Sequence, residues 1–494
     1  MRETIEVILP SIVGFYLLFL RNACLRKTVS PVRWMLMGWI MLFAVTIATP
    51  IHFFSYRLRG TTILFCVLWV GVFVLGNVLG NITFPRSRVY KRRRAPIGRM
   101  RLLSFVGFFG MAWLIYNNRY FLSKTVDDPY AVAIQRFEYS SGSNIWNTLA
   151  IFVALVGAII ACREIVGAVI EKRTVRIAAY LGMADYLVVY VVGAGRQGFL
   201  LLGIAISVSL FASLQFVRFD YPPWRKLLFP LLLMALLAIG YNSFIITFRS
   251  TGFTGNMVVK MQKQDILYDS AVSGEFKGFV ETTGVFGSLI AESFYYFSPQ
   301  LYGLDYTLHG FKGENALGAY EFPYIYRRLD DMFGENSVDT ASGNLDELYE
   351  NRGLFHHFFR TAVEDVYIDF GLIPGLAFVL VCGLGCGLAH RAAVEQFTPE
   401  NVCLVALLCA GSFFTIIFSP FSENGFAFPL IWMAGLKMWA VVARSCGRRV
   451  STHIGLVRLK CEDSESCLSG SEPRTGESSG VIRDAFLLAA RRKL

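Results

Sequence analysis

Arginine, histidine and carboxylate residues gather at three places along an otherwise apolar chain, each with a spacing that could serve the transfer of a phosphate-linked group. The first is Gly193-Ala194-Gly195-Arg196-Gln197-Gly198, between two apolar runs. Glycines on either side let a ligand approach the backbone closely, and the always-charged guanidinium of Arg196 can grip a phosphate or pyrophosphate with two parallel hydrogen bonds. The plainer use of the same residue is an interfacial anchor for a helix hairpin. The second is Arg249, in Thr247-Phe248-Arg249-Ser250, expected at the depth of Arg196. Together the two could hold both phosphates of a lipid pyrophosphate; alone, Arg249 could simply snorkel.

The third place runs from Arg352 to Asp365. Read as a helix, Arg352, His356, Arg360 and Glu364 follow at i, i+4 spacing and share a face. Histidine exchanges protons near neutral pH, and a carboxylate could orient it or take a hydroxyl proton itself. A solvated face with a local Arg360 to Glu364 pair is the competing use. Asp369, in Asp369-Phe370-Gly371-Leu372-Ile373-Pro374-Gly375, is expected where an apolar span begins. Asp185 falls inside another span, where a carboxylate is either functional or a hydrogen bonder in helix packing. Glu292, His309 and the pair Arg327-Arg328 are additional candidates. The adjacent His356 and His357 have no Cys, His or carboxylate at a spacing that completes a metal site, so no metal or other cofactor is expected.

The elements that position these residues are apolar. The chain is 54% hydrophobic, 15% aromatic and 17% charged, with a mean hydropathy of +0.49. That composition excludes an ordinary soluble domain of this length and indicates a polytopic membrane protein. Apolar runs near Ile5 to Leu20, Trp34 to Phe54, Thr61 to Ile82, Leu102 to Asn117, Ile145 to Ile170, Val175 to Val192, Gly198 to Phe216, Leu227 to Thr247, Tyr367 to Leu388, Val402 to Phe418 and Phe426 to Ala443 predict an all-α fold with about eleven transmembrane helices. The first reads as a retained anchor, with no small-residue cleavage site before Arg21. Residues 1–247 would form an amino-terminal bundle, 248–366 a large outer loop, 367–443 three further spans, and 444–494 a largely disordered tail. Val285 to Tyr302 is aromatic enough to resemble a further span, but Glu292 and Pro299 favour a helix lying at the outer interface.

Basic residues set the orientation. Arg21, Arg26, Lys27 and Arg33, then Arg86 to Arg101, then Lys172, Arg173 and Arg176, then Arg218, Arg225 and Lys226 occupy alternate loops, which belong on the cytoplasmic side. The amino terminus is then outside and the tail inside. The net charge of +11 is a topology signal, and no basic domain or aromatic-basic motif supports nucleic-acid binding. The 248–366 block falls outside, rich in acids such as Asp305, Glu314, Glu321, Asp330, Asp365 and Glu364.

At Gly195-Arg196-Gln197-Gly198-Phe199-Leu200, and again at Asp369-Phe370-Gly371 with Pro374-Gly375, the chain resembles the Wzy-type O-antigen or oligosaccharide repeat-unit polymerases. Ala194-Gly195 stands where those enzymes often carry a small residue and Ser before the Arg. The resemblance implies a bacterial inner-membrane enzyme on a scaffold similar to the lipid-dependent membrane glycosyltransferases. It would move a growing glycan from undecaprenyl pyrophosphate to the next lipid-linked repeat unit on the outer face, alongside a flippase and a chain-length regulator. Arg196 and Arg249 would bind pyrophosphate; His356, Arg360 and Asp369 would position the acceptor or move its proton, with Arg352, Glu292 and Asp185 in support. The close alternative is O-antigen ligase-type glycan transfer. A flippase or transporter for lipid-linked sugars is the alternative of a different class; it predicts related halves, which the chain lacks.

Overall fold

In the computed structural model the described residues are 2–24, 30–53, 58–83, 97–118, 145–171, 173–192, 197–216, 232, 270–311, 313–333 and 360–438. They are helical almost throughout. In chain order the helices are α1 (Arg2–Cys24), α2 (Pro31–Ala48), α3 (Gly60–Thr83), α4 (Ile97–Asn117), α5 (Ile145–Ala154), α6 (Gly157–Ile170), α7 (Ile177–Val192) and α8 (Gln197–Phe216). After the polar block begins come α9 (Gly274–Thr283), α10 (Val285–Phe297), α11 (Gln300–Gly310) and α12 (Pro323–Phe333), then α13 (Ala362–Phe370), α14 (Leu372–Glu395) and α15 (Pro399–Phe414). Two short strands, β1 (Ile51–Phe53) and β2 (Ser270–Val272), pair antiparallel with Ile51 opposite Val272. Residues 1–433 form one compact unit; of the second, 434–494, the described residues 434–438 are helical.

The expectation of about eleven transmembrane helices is corrected by the helix lengths. Among the described residues, four helices are long and apolar enough to cross a membrane: Pro31–Ala48, Gly60–Thr83, Trp146–Ile170 (α5 and α6 taken together through the turn at 155–156) and Leu372–Glu395. The chain is thus multi-pass in character. Shorter apolar stretches of 10–17 residues lie at Ile8–Phe19, Leu103–Asn117, Ile177–Val191, Gly198–Ser213 and Pro399–Phe414. At 1.5 Å per residue the 16-residue helices α7 and α15 fall short of about 30 Å of hydrocarbon. The run at Leu227 to Thr247 lies outside the described residues except Leu232. Hydropathy marks how long an apolar stretch is, but not where its helix breaks. The Val285–Phe297 run is a helix of 13 residues, too short to span, as its Glu292 and the following Pro299 predict.

The long helices pack through small residues, as expected where lipid removes most of the hydrophobic drive between helices and close backbone contact must supply the attraction. α3 and α14 run parallel along such a seam. A Cβ on Gly383 would land on the Phe73 carbonyl oxygen, and one on Gly387 on that of Asn77; Gly76 and Gly80 are blocked reciprocally by Leu380 and Leu384 carbonyls. Beside this seam a core of Trp39, Phe43, Trp69, Phe73, Leu301, Leu304, Val363 and Val366 joins α2 and α3 to α11 and α13. The polar block is therefore anchored on the same helices that form the bundle. Asp305 of α11 takes the Arg59 backbone N–H at 3.0 Å and the Thr62 hydroxyl, fixing α11 to the start of α3.

Candidate functional site

The Asp-Phe-Gly segment is a helix break. α13 begins after Thr361, whose side chain accepts the Glu364 N–H at 3.3 Å, an ordinary N-cap. It ends at Phe370, because Gly371 adopts φ +71°, a conformation that favours glycine, and α14 starts at Leu372. The expected span from Tyr367 to Leu388 is thereby displaced to Leu372–Glu395.

Asp369, fully buried, sits just before the break and uses both carboxylate oxygens on one neighbouring turn. It accepts the N–H of Tyr320 at 3.0 Å and of Glu321 at 2.7 Å, while its own carbonyl takes the Leu317 N–H at 2.9 Å. The turn at 316–322 is therefore held on the end of α13, and Glu321 with it.

Arg360 lies outside α13, before its N-cap, so it does not continue a helical face with Glu364. Its Nε instead donates to Asp365 Oδ1 at 3.0 Å, and its guanidinium lies 4.6 Å over the Tyr320 ring. Glu364 turns inward to accept the Thr307 hydroxyl at 2.7 Å. Asp365 Oδ2 takes the Ser419 N–H at 3.2 Å, and the Ser419 hydroxyl donates to Glu321 Oε2. Arg360, Asp365, Ser419, Glu321 and Asp369 are thus one connected group, with Arg360 the member that reaches solvent at 28% side-chain exposure. Burial pushes all three of its carboxyls up. Asp369 is raised to about 6 even though the backbone N–H groups of Tyr320, Glu321 and Gly318 oppose the change. Asp365 is raised by burial and held back by the Arg360 guanidinium. Glu321 is raised well above its ordinary value by burial, then by the charges of Asp365 and Asp369.

The turn that carries Ser419 also receives α7. Tyr190 donates to Glu423 Oε1 at 2.8 Å and Tyr186 to the Gly425 carbonyl at 3.1 Å. Gly198, at the start of α8, packs so tightly that a Cβ there would enter the Tyr190 ring. The last glycine of the Gly195-Arg196-Gln197-Gly198 motif has this structural use.

Arg196, Arg249, Arg352 and His356 lie outside the described residues. Arg360 and Asp369 come together through Asp365 and Glu321, neither of which the spacing singled out. Glu292 lies in the middle of α10. Asp185 is apart from this group, 1% exposed in α7, where its carboxylate oxygens have no hydrogen-bond partner and its side chain packs against Gly107 and Gly157. His309 bridges α11 to α3 through Thr61, 3.1 Å away, and Arg328 donates to the Thr148 hydroxyl at 2.6 Å. No local signal marks Glu321. Its partners are distant in sequence, and only its setting in Ala319-Tyr320-Glu321-Phe322 hints at burial.

A cavity of about 300 Å³ opens beside the carboxyl group, lined by Glu321, by Trp69 and Phe73 of α3, by α14 from Phe378 to Ala389, and by α15 from Leu404 to Ser412. Its wall is apolar except near Glu321, where Ser412, Thr415 and Ser419 also line it. The arrangement offers a half-buried guanidinium beside a group of raised carboxyls, and an apolar slot. Compared with known proteins, the chain matches no family model, no curated protein and no solved structure.

Proposed function

We propose that this multi-pass membrane protein polymerises undecaprenyl-pyrophosphate-linked oligosaccharide repeat units into a surface polysaccharide on the outer face of a bacterial cytoplasmic membrane. The observation that carries the reading is a convergence: Gly198 of the Gly195-Arg196-Gln197-Gly198 motif, through Tyr190, and Asp369 of the Asp-Phe-Gly segment, through Glu321, both lead to the one turn at 415–425. The two motifs on which the family resemblance rests are joined by this turn.

In this reading a sugar hydroxyl of the acceptor attacks the anomeric carbon of the donor glycan. The new C–O bond forms as the bond to the lipid pyrophosphate breaks, and the electron pair leaves with the pyrophosphate. Arg196, Arg249 and Arg360 oppose the charge that gathers there. His356 accepts the hydroxyl proton. Asp369 acts as a positioning residue, because both its oxygens are engaged by backbone N–H groups.

The test uses the purified full chain in lipid vesicles with lipid-linked repeat units. A ladder of product lengths is expected, lost with Arg196→Ala and reduced at least tenfold with Arg360→Ala. A single added glycan on a non-repeat acceptor would show ligase-type transfer and overturn the reading, as would full polymerisation by Arg196→Ala.

A further inference from the structure

The cavity beside Glu321 has a shape and a polarity that the transfer reaction does not use. α14 lines it from Phe378 to Ala389, a length of about 16 Å at 1.5 Å per residue. Its volume, about 300 Å³, is at the lower end of small-molecule sites. The slot is apolar along α14 and α15 and polar at one end. There the fully buried Glu321 keeps Oε2 on Ser419, while Oε1 is buried with no hydrogen-bond partner. Trp69, also lining the slot, has a buried indole N–H that is likewise without a partner. An unmet acceptor and an unmet donor on residues that line an apolar slot are costly unless a ligand satisfies them.

We infer that this cavity is a binding site for a single aliphatic chain ending in an uncharged hydroxyl, seated with the hydroxyl at Glu321 and the chain along α14. A hydroxyl is the small head group that can donate and accept at once. It suits Glu321 in either protonation state, and burial favours the neutral acid. An anionic head is disfavoured, because among the described residues no Lys, Arg or His lines the slot, and Asp365 and Asp369 close to Glu321 would repel it. The site is thus separate from any that holds a lipid pyrophosphate, and it does not depend on the polymerase reading.

Gly385 gives the test a clean handle. It lines the slot, and a Cβ there would meet nothing within 4 Å, so a larger side chain fills space without forcing the backbone. The full chain in lipid vesicles is photolabelled with a diazirine-bearing long-chain primary alcohol, with the alkane of the same length and with its alkyl phosphate, and labelled peptides are mapped by mass spectrometry. In the wild type the alcohol should label α14 and α15 about tenfold more than either comparator. Gly385→Leu should abolish that labelling, and Glu321→Met should bring alcohol and alkane level. Equal labelling by alcohol and alkane in the wild type would overturn the inference. So would undiminished labelling of Gly385→Leu, or alkyl phosphate entering as well as the alcohol. If Glu321→Met does not fold, the wild type and Gly385→Leu still decide. Polymerisation is not a readout, so loss of one reading leaves the other standing.

Discussion

Arg360 Nε lies 3.0 Å from Asp365 Oδ1, across the boundary where the chain turns from extended backbone into α13. The pair is asymmetric: Asp365 is buried, while Arg360 keeps 28% of its side chain exposed. Arg360 therefore neutralises a carboxylate that also faces Glu321. Removing it with Arg360→Ala should destabilise the chain by about 1–3 kcal/mol, the cost of leaving a buried polar group unmet. Thermal unfolding in lipid or mild detergent measures this. Arg360→Lys should recover only part of the loss, since an ammonium cannot reproduce the planar fork.

Stability should fall as pH rises through the acid range. The carboxyl of Asp369 is raised from 3.8 to about 6 in the folded chain, so between those values the folded state holds more protons than the unfolded one. Its contribution is complete below about 3.8 and is lost as the pH passes about 6. Across that interval each pH step of one costs about 1.4 kcal/mol. Glu321 and Asp365, raised in the same direction, widen the window upward. Midpoints of unfolding recorded from pH 8 down to pH 5 should therefore increase. Asp369→Asn should flatten that increase, and a profile as steep as the wild type in this variant would contradict the assignment.

The α3 and α14 seam should be intolerant where backbones touch and tolerant one step away. Gly383→Val places branches against the Phe73 carbonyl, whereas Gly385→Ala adds a methyl that meets nothing within 4 Å. Overpacking costs about 1–3 kcal/mol or more, so Gly383→Val should lower the unfolding temperature markedly while Gly385→Ala leaves it nearly unchanged. Calorimetry of the two variants side by side checks the register of the seam.

Tyr190 should matter for geometry more than for chemistry. Tyr190→Phe removes one hydrogen bond to Glu423, worth about 1 kcal/mol. Gly198→Val forces the ring aside and with it the start of α8. In a polymerisation assay Tyr190→Phe should remain close to wild type and Gly198→Val should lose most of its product ladder, with unfolding curves showing that both variants still fold.

Much of this architecture was readable from residue type. The apolar runs announced a multi-pass helical protein, and Glu292 with Pro299 marked Val285–Phe297 as a helix too short to cross. Asp369 and Arg360 were visible as candidates because charge beside an apolar run stands out. What the sequence hid was where helices stop. Gly371 sits among apolar residues that read as one span, and only its positive φ shows that α13 and α14 are separate helices. Reading Arg352 to Glu364 as one stripe failed at its end for a related reason: Thr361 caps a new helix, so Arg360 lies before it and pairs with Asp365 while Glu364 turns inward. Glu321 was hidden among many acids, since the contacts that bury it come from Asp369 and Ser419, far along the chain.

The parallel packing of α3 on α14 also sets a timetable for biosynthesis. α3 leaves the ribosome with its glycine face complete, but the surface that covers it is synthesised only after the whole polar block has followed. At about 5–20 residues per second the interval is tens of seconds. During that time Gly76 and Gly80 present bare backbone to lipid or to whatever assists insertion, and the early helices must persist without their final partner. The seam is among the last contacts of the bundle to close.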